Sequence, residues 1–495
     1  MSNFVIIITI YVWEYFLMEL FFKSEKSLKR IEKIRAFLLG DKWMALLFCV
    51  CAVITTLAAL FPDQQIEIKG TIFCVYIAAI CFALSDDIMA ILAPLSLTAL
   101  VAIKCYDSFD AFMSFKWYIA PVFPILLLPL IAYRKRLTTK GAVFKPMVFV
   151  SIAILLGGLG FILPKEYFAP TSLYHMIGLG FGMVLIYAYF YAHINGKERN
   201  YSLIEYLTKI MVMTGCFATY MVFSYYIINI NEVIDVGGII FMQWRNNAST
   251  ILMITIPFAF LMANKKSYAT VMGFLFYLAI LLTGSRGGMV FGSVEIVMCI
   301  VMYMLYDRRR RLAYVIICAC ALFGCLAFAP QITGFLGNTI DRLFNAVNGF
   351  LMGESTEIRA IHYARGINDF LSHPVFGTGL GYMGNRDVHA SVDFALCWYH
   401  CAPIQVCASF GAVGIIAFLY QFIKRNMLIW RKATLFNMTI FLSYISLEMM
   451  SLVNPGIFCP IPYLLYVTIF MVIVEKCDGE FQEKLIVREK KINKK

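Results

Sequence analysis

Long apolar runs, each closed by a short polar or charged cluster, recur from the start of the chain almost to its end. A helix needs about 20 apolar residues to cross a bilayer, because it rises about 1.5 Å per residue through about 30 Å of hydrocarbon. Such runs lie near 4–22, 43–61, 67–84, 88–104, 118–133, 146–163, 173–193 and 206–228. Others follow near 248–263, 267–283, 288–306, 312–329, 402–423, 433–453 and 460–475. They predict an all-α, polytopic transmembrane helical bundle of about 12–15 spans. The first run contains Glu14 and Glu19 and also fits an interfacial helix or a signal anchor.

Composition excludes the soluble alternative. With 61% apolar residues, 15% charged residues and a mean hydropathy of +0.77, a 495-residue chain cannot coat a globule in water. Lys and Arg are retained on the cytoplasmic side of short loops. If 23–42 is cytoplasmic, strict alternation also places 134–145, 197–209, 264–266, 307–311, 424–432 and the tail from Glu475 inside. These segments hold most of the 42 basic residues. The net charge of +12 therefore reads as a topology signal plus attraction to anionic headgroups. No basic array with interleaved aromatics suggests nucleic acid. The 15 cysteines fall mostly within spans, as at Cys49, Cys51, Cys318, Cys320 and Cys325, where they act as small apolar residues. They form neither a metal-ligand nor a disulfide framework.

On the outer face two long polar segments interrupt the spans, at about 229–247 and 330–401. The second, about 70 residues long, is rich in aromatics and glycine, which argues for an ordered loop with short helices. The outer basic residues change type along the chain. Early ones are Lys69, Lys104, Lys116 and Lys165, and later ones are Arg245, Arg286, Arg342, Arg359, Arg365 and Arg386. Arginine offers a planar fork for bidentate contact with phosphate and sheds its hydration more readily than ammonium. Interfacial snorkelling is the plainer explanation for any one of them.

Arg286 stands in Ser285-Arg286-Gly287-Gly288, between two spans, where a cation calls for an anionic partner. Gly287 and Gly288 leave room for a ligand or a neighbouring backbone, although a simple hairpin break also uses glycine. Arg245 lies in Trp244-Arg245-Asn246-Asn247, just before another span. The run His373-Pro374-Val375-Phe376-Gly377-Thr378-Gly379-Leu380-Gly381 lacks the Lys-Ser or Lys-Thr of a phosphate-binding loop and reads as a turn-rich structural segment. His400, in Trp398-Tyr399-His400-Cys401-Ala402-Pro403-Ile404-Gln405, enters the next span at bilayer-surface depth. With a free pKa near 6.5, a histidine there suits a general base in group transfer. Packing within the Trp398 and Tyr399 belt is the competing reading.

In this order and on this face, the Ser-Arg-Gly turn at Ser285–Gly287, Arg359, the His-Pro-x-Phe-Gly-x-Gly run from His373, and His400 with Gln405, Gly411 and Gly414 resemble the O-antigen ligase and O-antigen polymerase superfamily. The resemblance covers roughly 240–425. Cys401 departs from it, since the family usually has Asn there, and the segment around Arg245 matches only approximately. The resemblance implies a GT-C-like membrane glycosyltransferase of the bacterial inner membrane. Its substrate would be a polyprenyl-diphosphate-linked oligosaccharide, with other polysaccharide-export proteins as further partners. Its organisation would be an N-terminal bundle (1–240), a ligase/polymerase-like core with the large outer loop (241–425), C-terminal spans (426–475) and a basic tail (476–495).

The implied site faces outward. His400 activates the acceptor hydroxyl and Arg286 stabilises the leaving diphosphate, while Arg245, Arg359, Ser285 and Gln405 bind diphosphate or glycan. No Asp-x-Asp clamp occurs in the chain, so neither a metal nor another cofactor is expected. Polymerase is preferred over ligase on family habit. A flippase or transporter of the same lipid would also need polar groups among helices, and Glu295 and Glu448, within predicted spans, are candidate buried partners of basic groups. A transporter should place such groups near the midplane and on both faces, whereas here they concentrate outside. A structural or sensory protein leaves His400 and Arg286 without a purpose.

Overall fold

A computed structural model of the chain describes residues 25–85, 87–103, 118, 121, 122, 125, 139–158, 176–196, 198–306, 311–334, 337, 341, 358–380, 399–453, 466 and 468–477. The predicted span at 4–22, most of that at 118–133, Arg342, Arg386, Trp398 and the tail beyond 477 lie outside the described residues. All regular structure among the described residues is helical. Among the described residues six helices are long and apolar enough to cross a membrane: Asp41–Leu60 (α2), Ile66–Leu84 (α3), Leu203–Ile228 (α7), Arg245–Ala263 (α9), Arg286–Tyr306 (α11) and Ala402–Trp430 (α14). Shorter helices, several of them apolar, complete the set: Glu25–Leu38 (α1), Leu92–Ile103 (α4), Phe144–Gly158 (α5), Met183–Asn195 (α6), Ile230–Val236 (α8), Ala269–Leu282 (α10), Arg311–Ala327 (α12), Ile358–Ser372 (α13) and Leu435–Ser451 (α15).

The fold divides into two compact units, Met1–Arg136 with Glu205–Gly284, and Leu137–Ile204 with Ser285–Lys495. In the first, α2, α3 and α4 pack mutually, and α9 lies along α10. Gly273 permits that pairing, because a Cβ there would stand 2.8 Å from the Phe260 ring. Asp87 caps the turn before α4 by accepting from Met89 N at 3.1 Å, and Lys265 pairs with Glu205.

In the second unit α14 is the central element, flanked by α5, α13 and α15, while α11 packs on α15. Gly157 of α5 sits so near α14 that a Cβ would lie 2.8 Å from the Ser409 carbonyl. Tyr303 of α11 and Thr439 of α15 share a buried hydrogen bond of 2.8 Å. Glu475 accepts from Ala142 N at 2.9 and 3.1 Å, which satisfies a backbone donor ahead of α5.

Residues 424–432, expected as a cytoplasmic loop, instead continue α14 to Trp430. Arg425 is thereby buried and pairs with Glu448 at 2.9 Å, so Glu448 has the basic partner anticipated for it. Glu295 does not. Among the described residues no cation pairs with its fully buried carboxyl, and Ser446 is a polar neighbour.

Candidate active site

The second unit builds a supported turn around His400. Helix α13 turns one face toward residues 399–405, with contacts spaced at four and three residues as helical geometry requires. His362 sets its ring edge-to-face against His400, with centroids 5.4 Å apart. One turn on, Gly366 has no room for a Cβ, which would meet Ile404 at 2.4 Å and the Tyr399 ring at 2.9 Å. Asp369 then accepts the Tyr399 hydroxyl at 2.6 Å. His362, Asp369 and Tyr399 are all buried.

Backbone conformation reinforces the arrangement. His400 has φ of +54°, a region that non-glycine residues rarely occupy unless the surroundings enforce it. Gln405, also buried, accepts from Tyr399 N at 3.1 Å and donates to Ser409 Oγ at 2.8 Å. Its amide thus ties the turn to the first turns of α14. Cys401 precedes the helix as its N-cap without a side-chain cap bond, and burial pushes its thiol pKa up. The side chain beside His400 is therefore a buried, neutral thiol.

Below the turn α14 is broken. Gly411 has φ of +61° and ψ of −156°, which interrupts the helical hydrogen-bond ladder. The glycine-rich run after α13 restores those bonds. Thr378 N donates to Ala408 O at 2.8 Å and Gly379 N to Ser409 O at 3.0 Å, while Ala412 N and Val413 N donate to Pro374 O and Val375 O at 2.8 and 3.2 Å. The backbones touch, since a Cβ on Gly377 would stand 2.3 Å from the Ser409 carbonyl carbon and one on Gly411 2.5 Å from Val375. The segment expected to be turn-rich thus completes the broken ladder of α14.

Ser285 and Arg286 open α11. The Ser285 hydroxyl accepts from Gly288 N at 3.2 Å and caps the helix. Arg286 is its first residue. An N-terminus carries partial positive charge, so a cation there adds to the helix dipole and favours an anion from solvent or ligand. Gly287 is explained by packing, because a Cβ would meet Val453 of the α15 end at 2.7 Å. Arg245 likewise opens α9, with its guanidinium 5.4 Å from the Phe241 ring centroid, but it belongs to the first unit. Arg359 lies in the first turn of α13. Among the described residues no group of three His, Cys, Asp or Glu side chains is placed to hold a metal ion.

Of the six residues singled out from sequence, the second unit holds Ser285, Arg286, Arg359, His400 and Gln405. Sequence reasoning did not reach His362 or Asp369, and it named Tyr399 only as part of an aromatic belt around His400. Their signal was the four-and-three spacing of His362, Gly366 and Asp369, which looks unremarkable until α13 is known to be a helix.

Residues 271–419 match the family model described as O-antigen ligase. The match includes Ser285, Arg286, Arg359, His400 and Gln405, and excludes Arg245. Comparison with curated proteins returns no match. The matched region runs through α10 to α14, which include the capped arginine, the His400 turn and the helix break, and it supports an O-antigen ligase-type membrane enzyme. Over residues 271–419 the chain is thus similar to the O-antigen ligase family.

Proposed function

We propose that this protein is a membrane glycosyltransferase that polymerises an oligosaccharide carried on a polyprenyl diphosphate, working at the outer face of a bacterial inner membrane. The observation that carries the reading is Arg286 at the first residue of α11, where a guanidinium and a helix N-terminus together favour an anion.

The donor's diphosphate lies at Arg286, with Arg359 as a further anion contact, and its polyprenyl tail stays in lipid. His400 takes the proton of the acceptor hydroxyl as that oxygen bonds to the anomeric carbon. The bond from the anomeric carbon to the phosphate oxygen breaks, and its electron pair leaves with the polyprenyl diphosphate. Arg286 stabilises that charge where a metal ion would otherwise serve. His400 then releases the proton to water. The strained His400 backbone, held by α13 through the Tyr399–Asp369 bond, supports this role, because rare conformations persist where the surroundings fix a functional group. Ser285 and Gln405 act here by shaping the Arg286 cap and the His400 turn. Transfer to a different lipid or protein acceptor, the ligase reaction, uses the same chemistry with another hydroxyl.

The test compares purified wild type, His400→Ala and Arg286→Ala in liposomes with a polyprenyl-diphosphate-linked oligosaccharide. The reading expects glycan extension to fall at least about 100-fold in both variants, a loss typical of general-base or charge-stabilising groups. Near-wild-type extension by His400→Ala would remove His400 from the chemistry.

A further inference from the structure

Helix α13 is inside out. Its face toward the protein carries His362, Gly366 and Asp369, within about 60° of arc. The opposite face carries Ile361, Ala364, Ile367 and Leu371, with Asn368 among them. Ile361 is 54%, Ile367 52% and Leu371 67% exposed, whereas His362 is 1% and Asp369 4% exposed. A helix in water has the reverse pattern, with its apolar stripe inward. The exposed patch continues through Val375 and Phe376, at 54% and 49% exposure.

The register of α14 gives the depth. Lys424 and Arg431 mark one polar boundary of that helix. Counting back the roughly 20 residues that cross hydrocarbon puts the other boundary near Ile404. Val413, whose N–H bonds Val375 O at 3.2 Å, then lies about 13 Å below that surface at 1.5 Å per residue. The segment after α13 is therefore deepest at Val375 and climbs back beside α14 to Thr378 and Gly379, which bond Ala408 O and Ser409 O, and its backbone is accommodated because its groups pair with the broken helix. Arg365, part-buried, stands at the border between the two faces, where an amphipathic interfacial helix carries its cations.

We propose that α13 and Val375–Phe376 are embedded in the bilayer leaflet at the N-terminal end of α14, with the Ile361–Ile367–Leu371 face covered by lipid acyl chains. The polar face is then free to hold the His400 turn at the membrane surface, where a reacting group on a lipid carrier would sit. The covering lipid sets the depth of that turn, so α13 acts as an interfacial float for the site.

The experiment places p-benzoylphenylalanine at Leu371 or, separately, at Ile367 in the full chain. The protein is reconstituted in dioleoylphosphatidylglycerol vesicles, irradiated, and its peptides are analysed by mass spectrometry. The benzophenone inserts into neighbouring C–H bonds, so the proposal expects a peptide adduct bearing one phospholipid at both positions. Cross-links only to peptides of this chain or of a second copy would overturn it by showing a protein cover. Absence of any adduct at both positions would overturn it by showing a water-facing helix. Adduct formation needs no turnover, so its failure leaves the transfer reading intact, and failure of transfer leaves the lipid adduct unaffected.

Discussion

Tyr399 donates its hydroxyl to Asp369 Oδ2 across 2.6 Å, joining the residue before His400 to the last turn of α13. The bond is buried, and the carboxylate makes it a strong one. Tyr399→Phe should therefore cost about 2 kcal/mol of stability. It should also lower transfer by more than that loss of folded protein explains. Thermal unfolding measured beside turnover at a temperature where the variant is fully folded separates the two effects. Unchanged turnover would mean that the bond supports only the fold.

The break in α14 makes a second prediction about stability. Gly411→Ala would force a Cβ to 2.5 Å from Val375 at positive φ, and Gly377→Ala would force one to 2.3 Å from Ser409. Each should destabilise by about 3 kcal/mol or more, because backbone must move on both sides. Gly324→Ala, where nothing lies within 4 Å of the added Cβ, is the contrasting case. Within helix α12 it should be neutral or stabilising by up to about 1 kcal/mol. Melting temperatures in detergent test the ordering.

The Arg425–Glu448 pair predicts non-additivity. Arg425 is almost wholly buried and its partner is about one quarter exposed, with side-chain exposures of 3% and 24%. Removing one member strands the other charge, at a cost of about 3–5 kcal/mol that partial exposure of Glu448 moves toward the lower end. Arg425→Met combined with Glu448→Leu should recover most of the loss. A double-mutant cycle on unfolding in denaturant measures it, and simple additivity would contradict the account.

Arginine neutralisation of the leaving diphosphate predicts activity that does not depend on divalent metal. Turnover should be unchanged within about twofold in EDTA. A substantial loss restored by a divalent cation would place a metal where Arg286 has been assigned.

The helical bundle was legible because period and length of apolar runs survive any tertiary arrangement, and seven of the predicted spans begin and end within a few residues of α2, α3, α7, α9, α10, α11 and α15. His400 and Arg286 were legible because each stands at the junction of an apolar run with a polar turn. Arg425 was misread, since a Lys-Arg pair near a span end looks like a loop until Glu448 on a neighbouring helix is brought beside it. His362 and Asp369 were invisible for a similar reason. They lie 38 and 31 positions before His400, and only the docking of α13 brings them to that turn. Gly411 was noted as a family glycine, but the break it makes depends on a partner backbone more than 30 residues earlier.

The most direct measurement follows both products of wild-type protein in liposomes charged with polyprenyl-diphosphate-linked oligosaccharide. A glycan polymerase releases one free polyprenyl diphosphate for each new glycosidic bond, and lipid-linked chains grow in step. Movement of the intact lipid-linked sugar between leaflets, with neither product formed, would contradict the account and make the protein a transporter.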